Sequence, residues 1–225
     1  MYIASAAFLW GVAANLGRAA FTGRLLPQGQ TLRPIDPLIL SQSRTTFSFV
    51  ILLLLLLFRG RKSLRLPAAD LVRMFVLGIL GVAASNYLYY LAIQRTNVAT
   101  AIILQYTAPV WVLLYTFVRG LQKPTLQRIA AVALAVSGIA LVIGIFSSGG
   151  FRLDAIGVLA SLAAAFSFAF YNIGGHSILA RYDRWTVLLY VILSASLFWL
   201  IVNPPWKIAA AHYSNANGYS CWHFP

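Results

Sequence analysis

Long apolar runs separated by short polar gaps fill most of the chain. They occupy residues 3–21, 38–58, 71–92, 98–118, 129–146, 155–177 and 185–202. Each approaches the roughly 20 residues that, at about 1.5 Å rise per residue, cross a hydrocarbon layer about 30 Å thick. The apolar residues within them are continuous rather than alternating. The pattern therefore predicts helices and not barrel strands, the other arrangement that satisfies its backbone in lipid. After Trp206 the apolar pattern stops, and residues 211–225 read as a polar tail.

Composition agrees with this reading. The chain is 60% hydrophobic and 9% charged, too little polar surface for a water-soluble globule of this size. The expected class is an all-α polytopic membrane protein with the lipid bilayer as its surroundings. The net charge of +13 first suggests nucleic acid, but Lys and Arg are scattered through the gaps instead of lining one face, so no nucleic-acid partner is expected. Their distribution bears on orientation. With the N-terminus in the cytoplasm, the inner loops hold Arg59, Arg61, Lys62, Arg65, Arg73, Arg119, Lys123, Arg128, Arg181 and Arg184, against Arg24, Arg33, Arg95, Arg152 and Lys207 outside. That asymmetry obeys the positive-inside rule and points to a multi-pass protein of the cytoplasmic membrane. The start of the chain has no basic region ahead of its first apolar run, so no cleaved signal is expected. Cys221 is the single cysteine; no internal disulfide, metal site or cofactor is expected.

The first and sixth runs share a pattern. Asn15-Leu16-Gly17 and Asn172-Ile173-Gly174 close them, and Asp36 and Asp183 open the runs that follow. This suggests an internal repeat, although short tripeptides also recur by chance in apolar sequence. A repeat of five helices, an odd number, places its second copy upside down, as in many secondary transporters.

The stretch from Gly78-Ile79-Leu80-Gly81 through Asn86 to Ala101 and on to Pro109-Val110 resembles the EamA-like drug/metabolite transporter superfamily. Also similar are Trp10-Gly11, the segment from Gly138 to Gly144, and Ser167-Phe168-Ala169 in the Ala-rich sixth run. The resemblance covers about residues 2–205. It implies ten helices in two inverted five-helix repeats, both termini cytoplasmic, and export or import of small organic metabolites such as amino acids. On that footing residues 1–146 are one five-helix repeat and 155–205 the first two helices of a second. Residues 206–225 are then a tail that reads as a truncated or frameshifted end, or as a segment outside the membrane.

The candidate chemistry is sparse. All four acidic residues, Asp36, Asp70, Asp154 and Asp183, fall at loops or helix starts, where carboxylates cap helices. No carboxylate remains inside a span for a proton relay or hydrolysis, and an enzyme is not expected; proton coupling would need His176, which is otherwise simply solvated at the interface, tyrosines, or groups absent from this chain. Arg18 is the most informative charge, because a guanidinium within a span usually faces a cavity, a partner or the interface. Arg44 can instead snorkel outward from the start of its helix. Asn15, Arg18, Asn86 and Gln105 fall at similar depth on the first, third and fourth helices. Asn86, Tyr89 and Tyr90 share one helical face, and Asn172 beside Tyr171 could form an inverted counterpart. These residues either bind a small-molecule substrate or only tie helices together. Pro109 cannot donate to the carbonyl of Gln105, so it marks a kink that could serve as a hinge. Gly78, Gly81, Gly138, Gly144, Gly174 and Gly175 are expected where helices approach closely, and Trp185, Trp199 and Trp206 at the membrane interfaces.

The function expected is secondary transport of a small polar metabolite by alternating access. In that reading Arg18 attracts a carboxylate and Asn86, Tyr90 and Gln105 supply neutral hydrogen bonds. The alternative is a non-transporting membrane protein or scaffold that completes its bundle with a second copy or a partner chain.

Overall fold

A computed structural model of the protein describes residues 2–21, 35–58, 66–121, 125–143, 154–204 and 206. The tail from residue 207 with Lys207 and Cys221, the end of the fifth run at Gly144 and Phe146, and the loop cations Arg24, Arg33, Arg59, Arg61, Lys62, Arg65, Lys123 and Arg152 lie outside them. Among the described residues the apolar runs form seven rods. We number them α1 (Tyr2–Phe21), α2 (Pro37–Phe58), α3 (Ala68–Arg95), α4 (Val98–Val118), α5 (Leu126–Ile143), α6 (Ala155–Leu179) and α7 (Arg184–Val202). Five of them, α2, α3, α4, α6 and α7, are long and apolar enough to cross a membrane. In α1, Asn15 and Arg18 interrupt the apolar character.

The packing is that of helices in lipid, where apolar burial does not drive helices together and small residues let backbones approach. Buried positions are rich in Ala83, Ala92, Ala101, Ala164, Ala165 and Ala195, with Ser41, Ser161 and Ser194 among them. The large side chains Phe47, Phe58, Leu126 and Leu134 point outward and are exposed. At the centre stands α3, packed on α6, α7 and α2, while α1 and α5 touch the bundle at its edge. Tyr90, Ala92 and Ile93 of α3 meet Phe21, Ala101, Ala160 and Ala164 in one cluster.

The third rod is longer than its apolar run. It begins at Ala68, ahead of Asp70, and continues to Arg95. Between Leu77 and Ala83 it widens into a π-helix, in which the Ala84 N–H donates to the Ile79 carbonyl five residues back. Hydropathy carries no sign of this turn, because a π-bulge changes the backbone register and not the polarity. Its glycines show what it accommodates. A Cβ on Gly78 would stand 1.7 Å from Ser194 Oγ and 2.4 Å from the Val191 carbonyl oxygen, and one on Gly81 2.8 Å from Tyr171 Cβ.

Two expectations are corrected here. Gly174 meets Leu77, but Gly138 and Gly175 have no atom within 4 Å of where a Cβ would be, and the tight contact at Gly157, against Thr96 and Arg95, has no counterpart in the sequence reading. Trp199 is not an interface anchor. It is buried against Ala83, Tyr87 and Phe198, because it sits on the face of α7 turned toward α3. Trp206 is 71% exposed, and Trp185 packs beside Leu52 and Leu56.

Three acids cap helices as their positions suggest. Asp36 accepts from the Leu38 N–H at 2.7 Å, Asp154 from Ile156 at 2.8 Å, and Asp183 from Trp185 at 3.0 Å. Asp70, buried in the first turn of α3, does something else. It accepts the Tyr182 hydroxyl at 2.6 Å and lies 3.4 Å from Arg73 and 3.9 Å from Arg181. One end of α3 is thereby tied to the turn between α6 and α7.

Candidate functional site

A cavity of about 210 Å3 opens between α2, α3, α4, α6 and α7. The π-turn contributes Gly81 and Val82, and one helical turn later Ser85 and Asn86 face the same way. From α2 come Arg44, Thr45 and Ser48, which share a face by their three- and four-residue spacing. Phe168 and Tyr171 of α6 and Leu188 and Ile192 of α7 close the apolar side, and Gln105 of α4 completes the lining. These positions all lie inside their helices, four or more residues from the ends, so the cavity sits within the bundle and not at its ends.

Local backbone structure explains why Gln105 is there. Asn97 caps α4 by accepting the Thr100 N–H at 2.8 Å, and α4 then breaks at Tyr106–Thr107 into the segments Val98–Gln105 and Ala108–Val118. Pro109 stands in the first turn of the second segment, where no N–H is required. The Val110 N–H donates to Thr107 at 2.8 Å, and the Thr107 hydroxyl donates to the Leu104 carbonyl at 2.7 Å. The break in regular helix at Tyr106–Thr107 thus falls immediately after Gln105. Gln105 Nε2 reaches Ser85 Oγ at 3.5 Å, and Ser85 donates to the Ala164 carbonyl of α6 at 3.3 Å.

The polar residues singled out in the sequence fall into separate places. Asn86 and Gln105 line the cavity together. Tyr90 is buried behind it and accepts a hydrogen bond from Arg44 Nη1 at 3.2 Å. Tyr89 is buried in the same core, its ring 5.6 Å from that of Tyr90. Arg18 is not among the lining residues. Its Nη1 donates to the carbonyls of Ile93 and, at 2.9 Å, Thr96. These groups end α3, where carbonyls lack helical partners and the dipole favours a cation. Asn15 is exposed on α1 and donates back to Gly11 at 2.9 Å; Asn172 is exposed on α6 and donates back to Phe168 at 2.7 Å. His176 is exposed as well.

Residues that sequence reasoning did not place at the site are Arg44, Thr45, Ser48, Ser85, Phe168 and Tyr171. Among the described residues, Arg44 carries the only formal charge in the lining. Its position near the start of α2 reads as an outward snorkel, yet its side chain turns to Tyr90. The signal available was the i, i+1, i+4 set Arg44, Thr45, Ser48, a polar stripe in an otherwise apolar helix. Among the described residues no group of three or more His, Cys, Asp or Glu gathers where it could hold a metal ion.

Known proteins complete the picture. The family model of the EamA-like transporter family matches residues 1–144. An uncharacterized transporter of Archaeoglobus fulgidus is 26% identical over 168 residues, a match covering 74% of this chain and 57% of that protein. The chain thus spans little more than half the length of that relative. A protein of known crystal structure has the same fold, with a TM-score of 0.54 at 20% identity over 91% of this chain and 74% of that one. The match over residues 1–144 shows that this multi-pass membrane protein belongs to the EamA-like transporter family.

Proposed function

We propose that the protein contributes the substrate cavity of a secondary transporter for a small polar organic metabolite, working by alternating access. The observation that carries this reading is the cavity itself: an opening within the bundle between five helices, lined by Arg44, Thr45, Ser85, Asn86, Gln105 and Tyr171. Polar groups inside a span are costly unless they face water, a ligand or one another. The break at Tyr106–Thr107 and the π-turn of α3 adjoin residues that line the cavity; both are interruptions of regular hydrogen bonding, where helices bend with least loss. Asn86 and Gln105 bind the substrate directly, and Tyr90 supports Arg44. Arg18 holds the end of α3, and Asn15 and Asn172 serve the outer surface.

The arrangement of the chain follows the same proposal. Residues 1–146 form a first five-helix repeat, 155–205 the start of an inverted second one, and the N-terminus faces the cytoplasm of a cell whose cytoplasmic membrane holds the protein. The test is counterflow in proteoliposomes loaded with unlabelled cell extract and supplied with a 14C-labelled extract of small metabolites. Label should accumulate above empty vesicles, and Gln105→Leu should reduce it without changing the amount of folded protein. Folded protein with no flux would favour the scaffold reading instead.

A further inference from the structure

The cavity has a charge that no described residue balances locally. Arg44 lies seven residues into α2, about 10 Å along the helix from its start, and no lining residue is acidic. The four aspartates of the chain are all placed elsewhere: Asp36, Asp154 and Asp183 at helix caps, Asp70 with Tyr182 at the end of α3. Tyr90 accepts a hydrogen bond from Arg44 but, as a phenol, brings no negative charge. The other polar lining groups, Thr45, Ser48, Ser85, Asn86, Gln105 and Tyr171, are neutral.

A guanidinium in a low-dielectric setting is strongly favoured by a carboxylate, whose two oxygens match its fork of N–H donors. A ligand ammonium in the same space would meet a like charge with no carboxylate to answer it. We propose that Arg44 is the specificity-determining residue of the cavity, and that the substrate is a small carboxylate with a partly apolar body and no unbalanced positive charge. The carboxylate meets Arg44, the neutral polar groups of the substrate meet Asn86 and Gln105, and its hydrocarbon lies against Phe168, Leu188 and Ile192. This rests on the cavity being a substrate site, and it moves the carboxylate contact from Arg18, which the geometry commits to the end of α3, to Arg44.

The experiment measures equilibrium binding to the full chain in nanodiscs, with three probes of one shape: cyclohexanecarboxylate, cyclohexanecarboxamide and cyclohexylmethylamine. The carboxylate should bind about tenfold or more tightly than either of the others, a difference that one ion contact readily supplies. Arg44→Gln should abolish the preference. Arg44→Lys, which keeps the charge and loses the fork, should weaken carboxylate binding several-fold while keeping the order of the three. A merely structural Arg44 would move thermal stability and leave the order unchanged, so stability without ligand is measured on the same variants. The proposal is overturned if the amine binds as tightly as the carboxylate, if the preference survives Arg44→Gln in folded protein, or if folded wild-type protein shows no saturable carboxylate binding. Transport fails separately: charge preference without counterflow removes the carrier reading and keeps this one, and counterflow with a preference for amines does the reverse.

Discussion

Gly78→Ala should damage the bundle far more than its single added methyl suggests. A methyl built on Gly78 stands 1.7 Å from Ser194 Oγ and 2.4 Å from the Val191 carbonyl oxygen. The hydroxyl can turn away only by rotating about one bond and giving up its 2.8 Å hydrogen bond to the Val191 carbonyl. The carbonyl cannot, because it belongs to the backbone of α7. Relief requires α3 and α7 to part, and overpacking of this kind costs about 1–3 kcal/mol. Against that stands the roughly 1 kcal/mol by which Ala exceeds Gly as a helix former. Gly138→Ala and Gly175→Ala isolate the second term, since neither added methyl meets an atom within 4 Å; both should be neutral or slightly stabilising. At about 2–4 °C per kcal/mol for a chain of this size, thermal unfolding in one detergent should rank Gly78→Ala lowest by several degrees. Ser194→Ala added to Gly78→Ala should recover only part of the loss, because the carbonyl contact remains. If Gly78→Ala unfolds no earlier than Gly138→Ala, the close packing of the π-turn on α7 is refuted, and with it the wall of the cavity that Gly81, Val82, Leu188 and Ile192 form.

Three further outcomes are expected. Arg18→Met should lower stability by about 1.5–3 kcal/mol, the worth of charge-assisted bonds to the Ile93 and Thr96 carbonyls, yet leave cyclohexanecarboxylate binding to the surviving folded fraction intact; loss of binding at unchanged stability would return Arg18 to the site. Gln42 of α2 donates to the backbone carbonyl of Asn203, just after α7, and accepts from its side chain, both at 2.9 Å, so Gln42→Leu alone should cost about 1–3 kcal/mol by stranding Asn203, while the double change to Leu should recover only the part due to the stranded side chain; a double-mutant cycle with no coupling would show the pair idle. The hydrogen bond to Asp70 raises the pKa of Tyr182 above the ordinary phenol value. Because the folded value is the higher one, the stability this contributes is fully present below about pH 10, the unfolded value, and is lost as pH rises through the folded one. The stability gap between wild type and Tyr182→Phe should therefore narrow in alkaline solution, and a gap that stays constant to high pH would show that the Tyr182 proton is not what holds Asp70.

The fold was legible because lipid makes the code simple. Every span must satisfy its own backbone, so continuous apolar runs report helices and the gaps report their ends to within a few residues. The third helix shows where that code stops. Where it ends near Arg95, Arg18, remote in sequence, reaches the carbonyls of Ile93 and Thr96, and along its π-turn Ser194 and Tyr171 lie close against Gly78 and Gly81. Both are tertiary facts. A glycine in an apolar run signals close approach only if a partner is there, which is why Gly78 and Gly138 look alike in sequence and behave oppositely in the bundle. Trp199 fails for the same reason, since hydropathy cannot say which side of α7 faces α3.

The lining of the candidate cavity was legible in part, and the part that was missed has one cause. Asn86 and Gln105, which line the cavity, stood out in the sequence because a polar residue in a span is expensive anywhere, and so carries information without knowledge of its neighbours. Arg18 and Arg44 pose the harder question of where a cation points, and depth along the helix does not answer it. Arg18, further from an easy snorkel, looks the more committed to a cavity, but the open carbonyls at the end of α3 satisfy it without one. Arg44, which depth alone would send outward, has Tyr90 within reach at 3.2 Å and two small hydroxyl residues, Thr45 and Ser48, on its own face. The better sequence rule is therefore to weigh a charge in a span by the polar residues at i+1 and i+4 ahead of its distance from the membrane surface. By that rule Arg44 with Thr45 and Ser48 stands out from Arg18, whose following positions Ala19 and Thr22 offer a single hydroxyl, and the order of residues along α2 alone marks the face that lines the cavity.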